Sequence, residues 1–130
     1  MKKIEVVAAI ITNDDKILCV QRNENEFSYI SKKYEFPGGK IEQGESREIA
    51  LLREIKEELN MAINIQKEFL TVKHAYPDFH LTMHSYICTS NNNVVSLLEH
   101  INYQWLIKSE LHHLDWAAAD IPIVEKLLIS

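Results

Sequence analysis

All three glycines of this chain fall between residues 38 and 44, and an acidic helical segment follows directly behind them. That juxtaposition constrains the fold more than any other feature, because one loop with unusual backbone demands must sit at the front of one helix. Ser46 is placed to cap the helix start, and Asn60 follows Leu59 where a left-handed residue ends a helix. Ile49, Leu52, Ile55 and Leu59 recur at spacings of three, three and four, which predicts a core-facing stripe. Glu54, Glu57 and Glu58 are then expected on the other side, within roughly 100° of one helix face. Like charges so placed repel. A cation between them relieves the repulsion, and oxygen-only ligands suit a hard divalent ion such as Mg²⁺.

The rest of the chain supplies strands for that helix to pack on. Ile4 to Ile11 is rich in β-branched residues and reads as a buried strand. Asn13-Asp14-Asp15 is a turn, and Lys16 to Arg22 a second strand, so the two are expected to form a hairpin. Asn23 to Lys33 reads as a polar loop lying over something. Residues 62–75 and 79–89 alternate as long strands joined at Tyr76-Pro77-Asp78, and Asn102 to Ile107 is another strand. Ser109 to Leu114 suggests a short helix. Asp120 to Leu128 reads as a terminal helix with Asp120 as its N-cap and Pro122 in the first turn. With 130 residues and no linker or repeat, one domain covering 1–130 is expected. Strands flanked by helices predict an α/β/α sandwich around a central mixed β-sheet.

From Gly39, five residues lead to Glu45, and seven more lead to Arg53-Glu54-Ile55-Lys56-Glu57-Glu58-Leu59-Asn60-Met61. This closely resembles the signature of the Nudix hydrolases, over 23 residues, with Asn60 where the family has glycine. Asparagine tolerates a positive φ, so the departure touches the helix end and not the acidic cluster. Phe36-Pro37-Gly38-Gly39-Lys40-Ile41-Glu42 and Ile4 to Ile11 look like the MutT-type branch of that family. Ala118 to Leu127 resembles bacterial CTP pyrophosphohydrolases.

The resemblance implies a Nudix fold and Mg²⁺-dependent hydrolysis of a nucleoside triphosphate to monophosphate and pyrophosphate. Mn²⁺ is a possible substitute. The branch names two substrate types, 8-oxo-dGTP and CTP or dCTP. It implies Glu54, Glu57, Glu58, Glu99 and the Gly38 carbonyl as metal ligands, a side chain at Gly38 crowding that approach. Glu57 could also orient or deprotonate the water. Arg53 would orient a glutamate by bidentate hydrogen bonding, and Glu45 would cap or brace the helix start. Arg22 and Lys40 would meet phosphates, while Phe36 and Asp120 would meet the base. A carboxylate only accepts, so Asp120 is expected to favour a base edge presenting N–H groups. Phe79 stands where the MutT-type branch carries an arginine.

A net charge of −5 and the absence of a basic stripe argue against nucleic acid as partner and for a small-molecule triphosphate collected by a metal. No segment reaches the length of a membrane span, and Val6 to Ile11 is too short for a secretion signal. Cys19 and Cys88 sit in apolar strand-like runs and read as reduced, buried thiols, which fits the cytoplasm. His74, His80 and His84 lack zinc spacing and read as ordinary strand histidines. Three other classes stand beside this reading: a nucleotide-binding domain without catalysis, an enzyme for sugar nucleotides or dinucleotides, and a Ca²⁺ sensor, for which no Asp-rich loop exists. A monomer or weak dimer is expected.

Overall fold

The computed structural model describes residues 1–130. Its organising strand is β1 (Lys2–Asn13), whose apolar run is buried on both faces. Val7, Ala9 and Ile11 point to one side of the sheet, Ala8 and Ile10 to the other. A strand covered on both faces reads as continuous hydrophobicity, which is what Val6 to Ile11 shows. Along one edge β1 runs parallel to β6 (Phe79–Thr89), from Lys2 opposite Phe79 to Thr12 opposite Thr89. β5 (Asn64–Ala75) pairs antiparallel with β6 beyond it.

The other edge of β1 departs from the expected hairpin. Only Thr12–Ile17 and Asn13–Lys16 pair with β2 (Lys16–Gln21), across a turn in which Asp14 and Asp15 have φ of 49° and 63°. Beyond that turn the two strands part, because residues 34–40 are wedged between them. β3 (Tyr34–Glu35) pairs with β2, while β4 (Gly38–Lys40) pairs with β1 through Ala8–Gly38, Val7–Gly39 and Val6–Lys40. The Ala9 amide donates to the Pro37 carbonyl at 2.8 Å. β7 (Asn102–Leu106) closes the far edge against β2. The glycine strap therefore lies inside the sheet. A Cβ on Gly38 would collide with the Val7 carbonyl and the Ala8 Cα, so the absent side chain makes room for β1 backbone. Among the glycines, Gly44 alone takes a positive φ, 84°.

Helix α1 (Arg47–Leu59) covers one face, with Ala50, Leu51, Ile55 and Leu59 packed on Val7, Ala9, Ile11, Leu18 and Val20. The Ser46 Oγ accepts the Ile49 amide at 3.2 Å, and Asn60 takes φ 53°, ψ 41° at the other end. Both caps are as expected, but the roll of the helix is not. Ile49 is 56% exposed and Leu52 40% exposed. At about 100° per residue the inward face sits roughly a quarter turn from the predicted stripe. Glu58 is buried within it, so the acidic side is partly the packed side.

Helix α2 (Ile121–Leu128) covers the opposite face, its Ile123, Val124 and Leu127 packing with Ile10, Ile17 and Cys19. The α/β/α layering is thus the expected one. Ahead of α2 come two 3₁₀ turns, Lys108–His113 and Ala118–Asp120. Cys19 and Cys88 lie on opposite faces, free and buried, and burial pushes both thiols up to about 12. No helix is long and apolar enough to cross a membrane.

Candidate active site

Arg53 organises the exposed half of the acidic cluster. Its Nε donates to Glu45 Oε2 (2.7 Å), and its Nη2 to Glu45 Oε1 (2.9 Å) and the Lys40 carbonyl (3.1 Å). Its Nη1 donates to Glu54 Oε1 (3.0 Å) and Glu57 Oε2 (3.2 Å). Those contacts use all five N–H groups of the guanidinium in its fixed fork. The bidentate partner is Glu45, and the Arg53 hydrogen bond holds that carboxyl down at about 2. Glu45 also accepts the Glu42 amide at 2.9 Å, bracing the loop before α1. Glu54 is raised by burial, against the pull of Arg53. Gly39, rather than Gly38, lies against the Glu54 carboxylate; a Cβ on it would stand 2.7 Å from Oε1.

Glu58 faces the other way, into the protein. Burial raises its carboxyl to about 9, with a hydrogen bond to Glu99 and the charges of Glu35 and Glu54 adding to the shift. Its Oε1 is buried without a partner. Such an oxygen carries the full cost of lost solvation. The cluster's donors are all oxygens and its most buried acid makes no ion pair, which fits a hard divalent cation. As the side chains stand, no three acidic or imidazole groups converge as a finished metal cage. Glu54 and Glu57 are directed towards Arg53, and Glu57 is 58% exposed.

Beside this cluster opens a cavity of about 580 Å³. It gathers Arg22, Phe36, Gly38, Lys40, Glu58, Glu99 and Asp120, seven of the residues singled out from sequence, whereas Glu45, Arg53, Glu54 and Glu57 stand outside its lining. The loop from Asn23 contributes Phe27 and Ile30, and is tied across to the β5–β6 turn by Tyr29, whose hydroxyl donates to Asp78 Oδ2 at 2.7 Å. Phe79 joins Phe27 and Tyr76 in an aromatic wall there. Phe36 is buried and stacks on Trp116 at 4.7 Å between centroids.

One expectation changes at Asp120. Asp120 sits at the α2 N-cap position but makes no cap hydrogen bond; its Oδ1 accepts the Phe36 amide at 3.0 Å. Burial, and then the Glu35 charge, push its carboxyl well above the ordinary range. The shift favours the form that carries an O–H, which donates as well as accepts. Sequence reasoning also missed Glu35 and His100. Glu35 Oε1 accepts from Arg22 Nη1 (3.0 Å), and its Oε2 from His100 Nε2 (2.9 Å). Both line the cavity. The place of His100 beside Glu99 was the one available hint. Elsewhere, His84 bridges Glu5 Oε2 (2.7 Å) and Thr71 Oγ1 (3.1 Å) across three strands.

Comparison with known proteins follows the same outline. A family model described as the NUDIX domain matches residues 6–126. The chain is 34% identical to the CTP pyrophosphohydrolase of Escherichia coli (strain K12) over 128 residues, covering 98% of this chain and 93% of that protein. It is 29% identical to the 8-oxo-dGTP diphosphatase of the same strain over 127 residues, covering 98% of each. The solution NMR structure of the DNA mismatch repair protein MutT (family Nudix hydrolase) from methicillin-resistant Staphylococcus aureus 252 is 40% identical. It superposes with a TM-score of 0.76, over 99% of this chain and 98% of that one.

Proposed function

The chain belongs to the NUDIX domain family and is a Nudix hydrolase; on that premise we propose that it hydrolyses a nucleoside triphosphate to the monophosphate and pyrophosphate, as one domain over residues 1–130. The observation that carries this reading is the buried, unpaired Glu58 Oε1 in a cavity that Phe36 and Asp120 also line. The acids suit a cation with phosphates, and the aromatic ring suits a base. Glu54, Glu57, Glu58, Glu99 and the Gly38 carbonyl would hold Mg²⁺, or Mn²⁺ in its place. When bound, the ion supplies Lewis-acid polarisation of a phosphoryl oxygen and acidifies water.

The remaining work falls to the chain itself. Arg53 fixes the directions of Glu54 and Glu57. Glu57 or Glu99 takes the proton of the attacking water as its oxygen bonds to phosphorus and pyrophosphate departs. Arg22 and Lys40 meet the phosphate charge. Phe36 packs on the base and Asp120 reads its edge. In the form that carries an O–H beside an acceptor oxygen, Asp120 would match a donor beside an acceptor. The N7–H and O6 of 8-oxoguanine present that pair, as do the amino group and N3 of cytosine. Unmodified guanine offers two acceptors at N7 and O6 and is mismatched on that edge. The leading substrate is 8-oxo-dGTP, with CTP or dCTP as the second reading. The role is clearance of damaged or surplus nucleotides in the cytoplasm, by a monomer or weak dimer with no nucleic-acid partner.

The test is a panel of 8-oxo-dGTP, dGTP, CTP and dCTP with Mg²⁺, following pyrophosphate against orthophosphate. Pyrophosphate is expected, and a chelator should abolish its release. Orthophosphate alone would move the cut to the terminal phosphorus and contradict the assignment. Intact triphosphate throughout the panel would leave a binding domain.

A further inference from the structure

Glu99 is exposed on the connection between β6 and β7, and its neighbours along the chain are tied down in two directions. Before it, the Ser96 amide donates to the Leu59 carbonyl and the Leu98 amide to the Glu58 carbonyl, both at 3.1 Å, which fastens this arm to the end of α1. After it, the Ile101 amide donates to the Gln21 carbonyl at 3.1 Å. Between these anchors stands His100, its side chain 4% exposed, with Nε2 2.9 Å from Glu35 Oε2. A carboxylate oxygen accepts, so the proton is on Nε2. Nδ1 is buried without a partner, so Glu35 is the only polar group holding the ring. The other Glu35 oxygen holds Arg22. One carboxylate on β3 thus grips a candidate phosphate contact with one oxygen and the Glu99 arm with the other. Glu99 lines the same cavity as Glu58.

We infer that Glu35 and His100 are positioning residues: the Glu35–His100 bond holds Glu99 against the acidic cluster, in fixed register with Arg22. The inference rests on the reading that Glu99 acts at that cluster. Losing an outer partner of this kind typically costs about 10- to 100-fold. His100→Phe, which fills the space and removes the donor, should lower kcat by about that factor with KM changed by less than about threefold. His100→Gln, which can place an amide N–H near the original Nε2, should recover most of the loss. In a Glu99→Gln background, His100→Phe should lower kcat no further, since the group it positions is already gone.

A readout without catalysis accompanies these. In the metal-free protein, hydrogen exchange at the Leu98 and Ile101 amides should rise about tenfold in His100→Phe and stay near wild type in His100→Gln. Equal losses from His100→Phe with and without Glu99 would overturn the inference, as would a His100→Gln variant no better than His100→Phe, or unchanged exchange. So would a Glu99→Gln protein that keeps its kcat while His100→Phe loses it. Failure of the functional reading looks different: the wild-type protein then releases no pyrophosphate, while the exchange measurement still tests the clamp.

Discussion

Gly38→Ala and Gly39→Ala add the same methyl group at adjacent positions and should have opposite consequences. At Gly38 the new Cβ meets backbone: the Val7 carbonyl oxygen, with the Val7 carbonyl carbon and the Ala8 Cα both at 2.8 Å. Backbone in the middle of a sheet cannot turn aside, so β4 must move off β1. Overpacking of this kind costs about 1–3 kcal/mol or more. At about 2.1 cal/mol/K per residue, a chain of 130 residues loses roughly 4 °C in Tm per kcal/mol. A fall of roughly 4–11 °C is therefore expected. At Gly39 the new Cβ meets only the end of the Glu54 side chain, with Oε1 at 2.7 Å. The carboxylate can swing away, at the expense of its bond to Arg53 and by about 1 Å, which in an active site costs about 100-fold in rate. Its Tm should change by less than about 3 °C, since one partly exposed bond is exchanged for solvent. Thermal melts of metal-free protein and steady-state pyrophosphate release decide the matter. A Gly39→Ala enzyme of wild-type rate would refute the placement of Glu54 in the chemistry. A Gly38→Ala protein melting with the wild type would refute the wedge between β1 and β2.

Three further outcomes follow from the same geometry. Glu57→Gln should reduce turnover by roughly three orders of magnitude or more with Tm nearly unchanged, because Glu57 is 58% exposed; a fully active variant would remove it from the ligand set. Glu45 titrates at about 2 in the folded state against 4.5 ordinarily, chiefly through its hydrogen bonds with Arg53. Its contribution is then fully present above pH 4.5 and lost as pH falls towards 2. The acid limb of a stability-versus-pH curve should accordingly flatten in Glu45→Gln, and an unchanged limb would show that the pair contributes nothing. Cys19 and Cys88, pushed up to about 12, should not react with a disulfide reagent at pH 8 until the protein unfolds, when both should react.

The sequence was most legible where the signal is local. The Ser46 cap, the left-handed Asn60, the alternating strands around Tyr76-Pro77-Asp78 and the spacing from Gly39 to Glu58 each depend on residues a few positions apart. Legibility failed where partners are distant. Glu35 and His100 are 65 residues apart, and neither side chain announces the other. Asp120 looks like a cap from its neighbours, but its bond runs 84 residues back to Phe36. The roll of α1 is hidden from the sequence for a related reason. Ile49 and Leu52 are apolar, yet the inward face is chosen by what lies beneath it, and Glu58 is turned inward to line the cavity. The turn at Asn13-Asp14-Asp15 announces the β1–β2 hairpin, but nothing near it announces the segment that separates the two strands.

The parallel pairing of β1 with β6 has a bearing on how the chain is made. Every rung of that ladder joins residues 77 apart. During synthesis at about 5–20 residues per second, the strand that pairs with this edge emerges roughly 4–15 s after β1. For that interval one long edge of the most apolar strand waits without its mate, the condition in which nascent chains aggregate. Lys2, Lys3 and Glu5 at one end and Asp14 and Asp15 at the other bracket the run with charge. Charges so placed at the ends of an apolar run disfavour its pairing with another copy.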